Sequence, residues 1–299
     1  MKIREWIQKM DKKTWKIAFI VACVVFAISA AFSGYYIFNM VQEQLTYKRF
    51  MEQIALESTP SLEEIQEQDF TSRDGDSPVI PELLYEDDIE QKFIELGIDV
   101  SNPIDFEELN RINPDLYAWI RIPDTNIDYP IAQHTEDDSF YLNHNMYKQA
   151  QFSGSIYSEA VNSKDFSDPV TILYGHNMKN GSMFQNLHCF EDKEFFDEHP
   201  YLFVYTPEGT LVYEVVAAKV TDNKHIMYQY DFEDEGVFEQ YLEEMQEISS
   251  MSANVREDVE LDEESRVLIM STCVGNDEGA RYIVQAVRVY DGREETEEE

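Results

Sequence analysis

The run RVLIMSTC at residues 266–273 reads as a buried strand and ends on a cysteine. The stretch after it, VGNDEGA at 274–280, is rich in turn formers: Gly275, Asn276, Asp277 and Gly279. Cys273 therefore sits at a strand end beside a loop, where a substrate can reach it. Arg281 opens the next strand-like run, eight positions later. If the two runs pair as a hairpin, Cys273 and Arg281 face each other. A cation beside a thiol stabilises the thiolate, and a guanidinium can donate hydrogen bonds to an oxyanion formed when a carbonyl is attacked. The plainer alternatives are that a lone cysteine serves as a small buried hydrophobe, and that an arginine in an acidic chain serves a structural carboxylate.

Working outward, period-two runs recur at Tyr117 to Ile122, Gly154 to Ser158, Val170 to Tyr174, Leu202 to Tyr205, Leu211 to Val220, Val267 to Ser271 and Tyr282 to Val289. Pro123-Asp124, Pro207-Glu208-Gly209 and Asp291-Gly292 punctuate them. This pattern predicts a mostly β domain, a closed or nearly closed barrel of seven to eight strands with a few peripheral helices. One helix interrupts the strands. In EGVFEQYLEEMQEI, the apolar Val237, Phe238, Tyr241, Leu242, Met245 and Ile248 share a face that should pack on the outside of the barrel.

His176, in TILYGHNM, follows a strand and a glycine that lets the backbone turn. At such a strand end a histidine can take a proton from a thiol and give one to a leaving amine. His134, His144, His188, His199 and His225 lie in polar or loop-like contexts and read as surface or capping residues. The adjacent His188 and Cys189 lack the further ligands a metal site needs, and no metal or cofactor is expected. Three scattered cysteines make no disulfide framework. A Cys189–Cys273 bridge stays open, although it would consume the nucleophile.

Residues 17–38 form 22 consecutive positions without a charge, long enough as a helix to span about 30 Å of hydrocarbon. Residues 1–16 carry six bases and two acids, and acids follow the apolar run. The positive-inside rule then places the N-terminus in the cytoplasm and the rest outside, in a single-pass arrangement. A cleaved signal peptide is the competing reading, with small residues at Ser29 to Ala31 and Ala31 to Ser33. Tyr35, Tyr36 and Phe38 continue the apolar run past those sites and favour an uncleaved anchor. Residues 39–84 read as an acidic stalk with some helix near Val41 to Leu56, and EDDIEQKFIELGI and DFEELNRI as short amphipathic helices opening a domain over 85–290. The tail, 291–299, reads as a disordered charge run. With 60 acidic against 23 basic residues and a net charge of −37, nucleic-acid binding is excluded. The acidity serves solubility or, in a sharper reading, attracts a cationic amine.

TILYGHNM, then Ser271-Thr272-Cys273, then Arg281, on a strand-rich domain behind an N-terminal anchor, resemble the sortases of Gram-positive cell surfaces. Ile269-Met270-Ser271-Thr272-Cys273 matches their TLxTC-type motif, and the YGHNM wording, the Ser-Thr-Cys ending and the inserted helix look most like class B. The resemblance spans roughly residues 85–290. It implies a cysteine transpeptidase with Cys273 as nucleophile, His176 as general acid and base, and Arg281 stabilising the oxyanion or orienting the carbonyl. Ser271 and Thr272 fall where family members contact substrate. It further implies an NPxTx-like sorting signal on a secreted protein, a thioester intermediate, and an acceptor amine from a peptidoglycan precursor or a pilin lysine. Two other classes compete. A cell-wall cysteine peptidase would share the Cys/His pair, yet papain-like enzymes place Cys before His, the reverse of His176 and Cys273. A non-enzymatic acidic surface binding module would need none of the three residues together.

Overall fold

The computed structural model describes residues 12–54, 93, 98–248, 253–275 and 277–293. Two units separate, one ending at Gln53 and the other beginning at Ile54. The described residues of the first form one helix, α1 (Lys12–Ile54), whose last residue falls in the second unit. Its 43 residues give a rod of about 65 Å at 1.5 Å per residue, well beyond a membrane's hydrocarbon core. Phe19, Phe26, Phe32 and Tyr35 are all exposed along it. It is long and apolar enough to cross a membrane, and it continues past the apolar run without a break. The part of the expected stalk beyond residue 54 and most of EDDIEQKFIELGI lie outside the described residues.

The second unit opens with α2 (Phe106–Ile112), capped by Asp105, whose carboxylate accepts from Glu108 N. The strands are β1 (Leu116–Arg121), β2 (Asp128–Ala132), β3 (Ile156–Tyr157), β4 (Val170–Tyr174), β5 (Tyr201–Thr206), β6 (Gly209–Asp222), β7 (Asn254–Val255), β8 (Val267–Val274) and β9 (Asp277–Asp291). Eight of them close a ring in the order β5-β1-β2-β3-β4-β8-β9-β6, sealed by β6 on β5, while β7 lies along the far end of β6. The expected barrel is thus present. Two strands of the sheet escaped the periodicity, β2 in the ring and β7 beside it. In β2, Pro130 stands opposite Trp119 and interrupts a strand signal that rests on backbone donors. In β7 only two residues pair.

Three neighbouring strands organise everything that follows. β4 and β8 run parallel in unbroken register, Val170 with Val267 through Tyr174 with Ser271, and β8 pairs antiparallel with β9. Alternate residues of this sheet segment, Val170, Ile172, Val267, Ile269, Ile283 and Val287, share a face with Phe238, Tyr241, Leu242 and Met245 of helix α5 (Glu235–Gln246). Asp234 caps α5 by accepting from Gly236 N and Val237 N. The helix packs outside the barrel as expected, except that Ile248 lies beyond it and is 64% exposed. Two short helices come before it: α3 (Lys193–Glu198), which follows a 3-10 helix over Phe184–Glu191, and α4 (Ile226–Gln229).

Two expectations change. The loop read over 274–280 is a tight turn through Gly275, which adopts φ +49°, and β9 already begins at Asp277, opposite Val274. A register shift then brings Arg281 opposite Cys273. The strand starts early because β6 runs to Asp222 and pairs with Ala280, offering a partner where β8 has ended. At the other end the ordered chain passes 290: Gly292 N donates to Thr210 O and Arg293 to Asp165 O, while 294–299 lie outside the described residues.

Candidate active site

Parallel register sets the height of the site. Tyr174 and Ser271 are partners, so His176, just past the end of β4, and Cys273, still within β8, each lie two residues beyond that pair. Arg281, opposite Cys273 on β9, completes a row along the ends of three neighbouring strands. All three residues line one open cleft of about 280 Å³. On β8 the residues at odd positions, Val267, Ile269, Ser271 and Cys273, share the face that α5 covers lower down; the sequence turns polar where that cover ends.

The segment 175–177 is laced to the end of β8. Gly175 N donates to Ser271 O at 3.2 Å, and Thr272 Oγ1 donates to Gly175 O at 2.8 Å. A Cβ on Gly175 would lie 2.5 Å from Ile156 Cδ1 and 2.8 Å from the Phe184 ring. This glycine is required by close packing rather than by the turn expected from sequence. Asn177 Nδ2 donates to Cys273 O at 2.8 Å. His176 Nε2 stands 2.8 Å from Leu142 O, so that nitrogen carries the proton and Nδ1 is left as the basic atom. Phe152, itself 75% exposed, stacks on the imidazole at 5.6 Å.

Cys273 and Cys189 are both free thiols, which closes the question of a bridge between them, and burial pushes the Cys189 thiol up from its ordinary value. Ser271 and Thr272 are buried and border the cleft, Thr272 with its hydroxyl committed to Gly175. Among the described residues no cluster of three or more His, Cys, Asp or Glu could hold a metal ion.

Two histidines read as surface residues take other positions. His225 enters the cleft wall, its Nε2 2.6 Å from Glu159 Oε2 and 3.3 Å from Tyr174 OH. Burial raises the Glu159 carboxyl above its ordinary range, with His225 opposing and Asp138 adding to the shift. Burial, reinforced by Glu159 and Asp138 and opposed by Arg281, likewise pushes the Tyr157 phenol up to about 12. His188 lies behind Cys273, its Nε2 3.2 Å from Cys273 O and its Nδ1 2.6 Å from Glu191 Oε1. Neither position was legible locally, because the partners lie 66 and 85 residues away.

A thiol, an imidazole and a guanidinium on one rim can together supply nucleophile, proton transfer and oxyanion stabilisation. The sortase domain family profile matches residues 120–289, which contain all three. Sortase B of Listeria monocytogenes is 36% identical over 171 residues, covering 56% of this chain and 67% of that protein. The crystal structure of Clostridium perfringens sortase B superposes with a TM-score of 0.56 at 31% identity, covering 62% of this chain and 100% of that one. A Staphylococcus aureus sortase B–substrate complex matches with a TM-score of 0.56 at 26% identity, covering 69% and 94%. With its barrel and its motifs agreeing with these relatives, the chain belongs to the sortase family and is a class B cysteine transpeptidase.

Proposed function

We propose that Cys273 attacks a backbone carbonyl in the NPxTx-like sorting signal of a secreted protein, with His176 and Arg281 as its partners. The observation that carries this reading is the single row of the three residues along one cleft, set by the β4–β8 and β8–β9 registers. His176 Nδ1 takes the thiol proton as sulfur bonds to the carbonyl carbon. Arg281 donates to the resulting oxyanion. The tetrahedral adduct collapses, the C–N bond breaks, and the leaving amine takes its proton from the imidazolium, leaving a thioester on Cys273. An acceptor amine, from a peptidoglycan precursor or a pilin lysine, then attacks the thioester, loses its proton to His176 and releases the thiolate. Ser271 and Thr272 shape the floor on which the peptide lies.

In this reading residues 1–16 are cytoplasmic, 17–38 cross the membrane, 39–84 form a stalk, 85–290 form the catalytic domain outside the cell, which 291–293 continue, and the remaining acidic residues form a tail. The length and exposed apolar surface of α1 support the anchor.

The test is mass spectrometry of the full chain in detergent micelles, incubated with an NPxTx peptide library and triglycine. A triglycine-ligated product that disappears in Cys273→Ala supports the transpeptidase and identifies its signal. Hydrolysis alone, with no ligated product, favours the peptidase.

A further inference from the structure

The carbonyl of Cys273 has company that the cleft-side chemistry does not use. Asn177 Nδ2 lies 2.8 Å from Cys273 O and 2.9 Å from His188 Nε2. An amide nitrogen has two hydrogens, one for each acceptor. Its orientation follows from Cys273 O, since a flipped amide would set two acceptors against each other. In the neutral ring, a proton on His188 Nδ1 donates to Glu191 Oε1, 2.6 Å away, and Nε2 accepts from Asn177. The 3.2 Å approach of Nε2 to Cys273 O then joins two acceptors bridged by the same amide. Every donor in the chain of contacts has its acceptor. The His188 ring lies nearly flat on Tyr282 at 4.7 Å, and Tyr282 is fully buried opposite Thr272.

Asn177 also follows His176 directly. Phe184 N donates to His176 O, and Asn177 bridges to Met183, so the backbone that carries the imidazole is fixed on its far side as well. We propose that Asn177, His188 and Glu191 form a positioning relay that locks the Cys273 backbone to the segment bearing His176. The relay rests on the reading of Cys273 as nucleophile and acts through it; none of the three residues touches the reacting atoms. Glu191 fixes the tautomer of His188, His188 fixes the rotamer of Asn177, and Asn177 holds the carbonyl at the root of the thiol. Misplacing a reacting group by about 1 Å costs on the order of 100-fold in rate.

The experiment measures kcat, KM and melting temperature for the full-length protein in micelles with a signal peptide and triglycine. Asn177→Ala should lower kcat about 10- to 100-fold with KM within about twofold. His188→Phe keeps a ring on Tyr282 but removes the acceptor, and should lose about tenfold in kcat; His188→Gln, whose amide oxygen can accept from Asn177, should recover to within about threefold of the parent. The double variant Asn177→Ala/His188→Phe should be no worse than Asn177→Ala alone. His188→Phe turning over as fast as the parent, or His188→Gln falling as low as His188→Phe, overturns the relay. Should Asn177→Ala fail to fold, the two His188 variants still decide. Cys273→Ala run beside them separates the two readings: if it keeps its activity the nucleophile assignment fails, whereas a silent Cys273→Ala beside a fully active His188→Phe condemns only the relay.

Discussion

The outer face of the β4–β8–β9 segment has two halves that obey opposite rules. The lower half, around Val170, Ile269 and Val287, lies under Phe238, Tyr241, Leu242 and Met245 of α5, and even its polar member, Gln285, is buried with its amide bonded to Tyr241 OH. The upper half carries Ser271, Cys273, Arg281 and Tyr174 into an open cleft. The same three strands, in the same register, thus bury a core below and line a cleft above. What separates the halves is where the helix ends and where the sequence of β8 turns from Val-Leu-Ile-Met to Ser-Thr-Cys.

The contrast can be broken deliberately. Cys273→Ala should reduce turnover by at least about 10⁴-fold, close to 5.5 kcal/mol of transition-state stabilisation, with the melting temperature unchanged. Next in size, His176→Ala and Arg281→Ala should each lower kcat/KM by about 10² to 10⁴ without unfolding the domain, measured with the same ligation assay. In the lower half the currency reverses: Ile269→Ala, at a fully buried position, should cost about 2–4 kcal/mol in denaturant unfolding while the folded fraction keeps its kcat. Asp234→Ala removes the cap of α5 and should cost about 1 kcal/mol by the same measurement.

The smallest effect sharpens the contrast by pH. Burial raises the Glu159 carboxyl above its unfolded value, so folding favours the protonated form. Its contribution is complete below the ordinary Glu range, roughly pH 4.3, and is lost as pH rises through the higher folded value. Urea unfolding of the parent should therefore show a stability decline across that window that Glu159→Gln flattens. An unchanged slope would mean that the His225 contact cancels the effect of burial on Glu159.

Legibility from sequence follows the same division. The hairpin that sets Cys273 opposite Arg281 could be read, because strand alternation and turn chemistry are local. The amphipathic face of α5 could be read for the same reason. The parallel pairing of β4 with β8 could not, since no periodicity names a strand's neighbour, and it is this pairing that brings His176 level with Cys273. The family motifs supplied that proximity in its place. His188 and His225 were misplaced because polar sequence neighbours resemble a surface, whereas their partners come from β8, and from Glu159 and Tyr174. β2 was lost to Pro130.

The β4–β8 pairing also has a consequence in time. Thr272 and Gly175, which lace the site together, are 97 residues apart in the chain. Contacts of such separation demand loop closure before they return any stabilisation, and they form late in folding. Until β8 has docked, the cysteine has no imidazole beside it and no fixed carbonyl at its root. A chain still emerging, or one in which β8 has not yet docked, therefore carries Cys273 without these neighbours. Reactivity of Cys273 toward a substrate-shaped electrophile, set against its reactivity toward a small alkylating agent, would report the final stage of maturation.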